Sequence, residues 1–86
     1  IFMGSPKSKF FDVSRQASKD IVEEEIDKIV EKLAVLEMII SEGKDEDFDI
    51  NQYIRDYTFA NMDDVNGMKK GLYVEFTGEI ISRLDS

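Results

Sequence analysis

The stretch IVEEEIDKIVEKLAVLEMII, residues 21–40, constrains this chain more than any other part of it. Wound as a helix, it brings Val22, Ile26, Ile29, Leu33, Leu36 and Ile40 into line at steps of 4, 3, 4, 3 and 4 residues. That is the a/d spacing of a helix-packing seam. Ser18 stands where an N-cap belongs. Asp20, Glu23, Glu24 and Glu25 crowd the first turns, where the helix dipole favours negative charge. Gly43 then follows at a common stop position. The pattern predicts one helix over about residues 18–42.

Such a helix, at 1.5 Å per residue, is about 37 Å long. A compact chain of 86 residues has a diameter of only roughly 30 Å. The helix is therefore expected to overhang its own domain. Its apolar width also grows toward the C-terminal end, where Val30, Leu33, Ala34, Val35, Leu36, Met38, Ile39 and Ile40 cover most of the circumference. A segment apolar nearly all round needs cover on several sides. The expected solution is a homodimer, with the seam Val22, Ile26, Ile29, Leu33, Leu36 and Ile40 as its interface. An elongated monomer, with later helices folded over the whole stripe, is the other solution. The remaining face, with Glu23, Glu24, Asp27, Lys28 and Glu31, reads as solvated surface.

The segments around this helix are shorter and less clear. KFFDVS, residues 9–14, is aromatic and compatible with an edge strand or with a lead-in to the helix. After the charged loop EGKDEDFD, Asp49 can cap a short helix with Ile50, Tyr53, Ile54 and Tyr57 on one face. Asn61 can cap a single turn over residues 62–66, ended by Gly67, with a break at Lys69-Lys70-Gly71. LYVEFTGEIISRL carries apolar residues at helical steps, but residues 72–77 also alternate as a strand would, and Gly78 costs a helix about 1 kcal/mol relative to Ala. Phe59, Tyr73 and Phe76 are expected core residues.

The predicted fold is mainly α: one long amphipathic helix, two or three shorter helices packed over its C-terminal half, and a short N-terminal strand. Residues 9–86 form one small helical domain. Residues 1–8 form a disordered or vector-derived arm, because Met3-Gly4-Ser5 resembles a cloning junction. The same residues fit a myristoylation pattern, but that needs Gly4 as the free N-terminus, and Ile1 and Phe2 precede it.

Composition then excludes chemistry. With no Cys and no His, disulfides, zinc sites, histidine general bases and Ser-His-Asp triads are all ruled out. Neither a phosphate-binding P-loop nor a GxGxxG stretch occurs. No catalytic residue, cofactor or metal is expected. Asp45, Asp47, Asp49 and Asp56 fall at positions 1, 3, 5 and 12 of a calcium-loop register. However, Ile50 replaces the glycine of the sharp turn, and Asp56 is shorter than the bidentate Glu. Asp63 and Asp64 read as first-turn acids. No apolar run reaches the roughly 18 residues of a membrane span, and the expected compartment is the cytoplasm.

The net charge of −8 is unevenly spread. Residues 1–17 hold Lys7, Lys9 and Arg15 against Asp12, whereas residues 18–50 hold four lysines against twelve acids. An acidic body repels phosphate backbones, so nucleic acid is an improbable partner for most of the surface. The function expected is therefore a non-catalytic, acidic interaction module: an adaptor, a chaperone-like factor or an inhibitor of a larger protein. One alternative is a dimeric DNA-binding regulator or antitoxin using Lys7, Lys9 and Arg15. Over about 25 residues, SKFFDVSRQASKDIVEEEIDKIV is similar in layout to ribbon-helix-helix regulators, which place an N-terminal strand in the DNA major groove. Here the following helix is about twice that family's length, and aromatics and Asp12 stand where polar or basic readers would sit. Another alternative is an acidic DNA mimic presenting Glu23, Glu24, Asp27, Glu31 and the 45–49 acids.

Overall fold

The computed structural model describes residues 4–84. Residues 1–3, which include Met3 of the two N-terminal patterns, lie outside the described residues, as do residues 85–86. The chain is mainly α. Helix α1 spans Pro6–Gln16, α2 Lys19–Ser41, α3 Ile50–Ala60 and α4 Met62–Leu84. No strand occurs among the described residues.

The expected N-terminal strand is thus a helix, and the cause lies just upstream of KFFDVS. The Ser5 hydroxyl accepts the Ser8 N–H at 3.1 Å, and Pro6 occupies the start of α1, where its missing N–H costs nothing. Once that turn is nucleated, Phe10 and Phe11 fall on the side facing α4. Local β-propensity yields to a cap and a packing partner.

The caps expected at Ser18 and Asp49 are in place. Ser18 Oγ accepts the Ile21 N–H at 3.3 Å. The Asp49 carboxylate accepts the N–H groups of Asn51 and Gln52 at 3.0 and 3.2 Å. After α2, Gly43 adopts φ +77°, the left-handed conformation that ends helices.

The C-terminal third departs from expectation. Residues 62–84 form one helix, as long as α2 at 23 residues each. It runs through Gly67, Gly71 and Gly78, with no break at Lys69-Lys70-Gly71; at residues 72–77 the helical steps hold and not the strand alternation. Interior glycines cost a helix about 1 kcal/mol each. They are tolerated because α4 is the element against which the other three helices pack, and tertiary burial overrides propensity.

Helix α1 lies parallel beside α4: Lys7 neighbours Lys69 and Lys70, while the Phe10 ring stands 5.5 Å from Tyr73 and 6.4 Å from Phe76. Helix α2 runs antiparallel to α4, so that Glu25 meets Arg83 and Lys28 meets Glu79. The later helices therefore do not cover the C-terminal half of α2. Helix α4 meets its N-terminal half instead.

The result is elongated and flattened. The principal extents are 47 × 28 × 15 Å and the radius of gyration is 15.8 Å, against about 12 Å for a compact chain of this length. Ile80, 1% exposed, is the one buried apolar residue among those described. Thr77 is buried beside it in sequence, and its hydroxyl donates to the Tyr73 carbonyl at 2.7 Å. Phe59, expected in the core, is 81% exposed, because α3 packs only lightly on α4.

Candidate functional site

The six seam residues of α2 divide into two groups. Val22 and Ile29 are half-buried. Ile26, Leu33, Leu36 and Ile40 are exposed, Leu33 at 51% and Leu36 at 47%. Val30, Val35, Met38 and Ile39 are exposed beside them. Helical geometry does bring the six onto one line, as the spacing predicts, but no element of the described chain covers most of it.

What α4 does cover is a polar row one position round the helix. Glu25 is 5% exposed, and a single oxygen, Oε2, accepts from Lys28 Nζ at 3.0 Å and from Arg83 Nη1 at 3.1 Å. Arg83 also donates to Glu24, and Lys28 pairs with Glu79 at 3.7 Å. Glu24 and Lys28, expected on a solvated face, thus form part of the α2–α4 contact. Burial pushes the Glu25 carboxyl upward, but hydrogen bonds from Lys28 and Arg83 outweigh it and hold the carboxyl below its ordinary value. The bond to Glu25 raises Lys28, and Arg83 is raised first by its bond to Glu24 and then by that to Glu25.

The sequence signal for this row was weak. Within EEE at 23–25, only the orientation of α4 decides which Glu turns inward. Arg83 lies 58 residues from its partner Glu25, beyond any helical periodicity.

Other sequence candidates separate in space. Asp49 is occupied as the α3 cap, and no group of three or more Asp or Glu among the described residues is arranged to hold a metal ion. Lys7, Lys9 and Arg15 lie on α1 rather than on a free arm, and Arg15 pairs with Asp12 at 2.8 Å. No described helix is long and apolar enough to cross a membrane.

Over residues 2–85 the sequence matches a family described as a domain of unknown function, DUF2018. The chain belongs to that family. No curated protein and no solved structure matches it.

The candidate site of this DUF2018 chain is thus an exposed apolar surface. Its size can be stated. The accessible surface is 7022 Å², whereas a folded monomer of 9.9 kDa exposes about 5,200 Å², leaving an excess of roughly 1,800 Å². Obligate homodimers bury about 1,000–2,500 Å² per partner.

Proposed function

We propose that this protein is a non-catalytic, acidic helical interaction module that self-associates through α2. The observation that carries the reading is the uncovered stripe Ile26, Leu33, Leu36 and Ile40 on an elongated chain. An amphipathic face must bury itself against another element. A second copy covers the stripe, and the area in excess matches what such an interface removes from water. The partner of the assembled module is a larger protein, which the acidic outer faces would meet through basic residues.

The lack of His and Cys in the sequence supports the non-catalytic part of the reading. The DNA-regulator alternative gains no support from α1, whose Arg15 is held by Asp12.

Light scattering on a size-exclusion column tests the reading, applied to the wild type and Leu36→Glu with far-UV circular dichroism alongside. The wild type should run at twice 9.9 kDa, and the variant should run as a monomer or lose its helicity. A wild type that remains a folded monomer at high micromolar concentration would overturn self-association.

A further inference from the structure

A second apolar surface lies where α1 meets α4. Phe10, Phe11, Leu72, Tyr73 and Phe76 wall a groove of about 320 Å³, which α2 closes at Ile29. The wall is aromatic: Phe10 and Phe11 meet edge to face at 5.3 Å, and Tyr73 lies 5.5 and 6.2 Å from them. Lys69 is the one charged residue of the lining.

The groove continues past Lys69 and Tyr73, which it shares with a neighbouring hollow lined also by Lys7, Asn66 and Lys70. Lys7, Lys69 and Lys70 carry no ion pair among the described residues. None of them has an acidic residue three or four positions away on its helix. Three unpaired cations at one end of an apolar groove are out of character for a chain of net charge −8. A groove near 300 Å³ is at the small end of the range that holds small molecules.

We propose that this groove binds a medium-chain fatty acid, its alkyl chain along Phe10, Phe11, Leu72 and Phe76 and its carboxylate among Lys7, Lys69 and Lys70. The charge decides the polarity of the ligand. An ammonium head would meet three like charges, and an uncharged head would leave them unanswered. The wall decides the tail, because it offers aromatic and aliphatic carbon with no acceptor or donor except at the lysine end. This site is separate from the self-association stripe, and the two surfaces touch only at Ile29.

The experiment is a titration of the full chain with sodium decanoate below its micelle-forming concentration, followed by amide chemical shifts. Decanol and decyltrimethylammonium serve as head-group controls, and octanoate and dodecanoate vary the tail. Saturable shifts should cluster on residues 10–11 and 69–76. Removing the carboxylate charge should weaken binding about five- to tenfold, as expected for two or three exposed ion pairs. Each added methylene should tighten it by up to about fourfold until the groove is filled. Lys69→Glu with Lys70→Glu, surface changes that leave the wall intact, should abolish the preference for decanoate over decanol.

Equal binding of all three head groups would overturn the proposal, as would shifts confined to Leu33, Leu36 and Ile40. So would a groove that decanoate reaches only when dimerisation is broken by Leu36→Glu, since its occupant would then be the second copy. Monomeric wild type that binds decanoate as described would defeat self-association and leave this site standing.

Discussion

Replacing Ile80 by Ala removes the one apolar side chain that the described fold buries completely. Burial at 1% exposure means that the lost methyl and methylene groups leave a cavity rather than a solvated dent. Changes of this kind cost about 2–5 kcal/mol, the spread reflecting how far the surroundings collapse. A core this small relaxes more readily than a deep one, which points to the middle of that range, about 3 kcal/mol. Total stability for 86 residues is about 4–13 kcal/mol, so this single change removes a quarter or more of it. Urea unfolding followed by far-UV circular dichroism reads the loss directly. With a slope of about 1–2 kcal/mol/M, the midpoint should fall by about 1.5–3 M. Phe59→Ala is the control: at 81% exposure it should stay within about 0.5 kcal/mol of wild type. If Ile80→Ala costs less than about 1 kcal/mol, the packing at this point of α4 does not hold the fold together. A Phe59→Ala loss as large as that of Ile80→Ala would equally refute the reasoning, because Phe59 would then be covered in the folded protein.

Gly71 lies inside α4 with nothing within 4 Å of an added Cβ, so Gly71→Ala should raise stability by up to about 1 kcal/mol. Gly43→Ala should lower it by about 1–2 kcal/mol in the same urea assay, because φ +77° penalises any Cβ. The Glu25 carboxyl is held below the ordinary carboxylate value by Lys28 and Arg83, so its contribution is fully present above that ordinary value and is lost as pH falls from there through the lowered folded one. Thermal midpoints of wild type should therefore drop in that acidic window more steeply than those of Glu25→Gln. If the folded form is a dimer, tenfold more protein should raise its apparent stability by about 1.4 kcal/mol, whereas a monomer's midpoint will not move.

Where the chain's own chemistry decides the structure locally, the sequence is legible. Ser18, Asp49 and Gly43 act as caps and stop because each needs only its immediate neighbours. The bounds of α2 follow from them to within a residue at each end. Ser5 and Pro6 carried the same kind of signal for α1, and the aromatic β-propensity of KFFDVS obscured it. The glycines of α4 mislead for a different reason. Gly67, Gly71 and Gly78 weaken the helix locally, but contacts with the other helices decide the outcome, and those with α1 and α2 join residues far apart in sequence. The stripe on α2 was legible as a line. Which elements would cover it was not, since periodicity describes one helix and not the path of the next.

The division of labour on α2 gives the strongest argument about what the fold is for. A chain that must bury one face of a long helix unaided gains most by burying the aliphatic one, at about 25 cal/mol per Å² of apolar surface. An ion-paired face gains little, because desolvation of the charges roughly cancels their attraction. Yet α4 sits on Glu25, Lys28 and Arg83, and the Leu33–Leu36–Ile40 side is left in water. The intramolecular contact is thus the weaker of the two that α2 could make. A polar contact of this kind fixes angle and register through specific pairs, since a misplaced Arg83 would strand a buried Glu25 carboxylate. It does not saturate the hydrophobic driving force, which remains available on the adjacent face. Under the proposed self-association, orientation within the chain and adhesion beyond it would be carried by different rows of the same helix, with Ile29 between them.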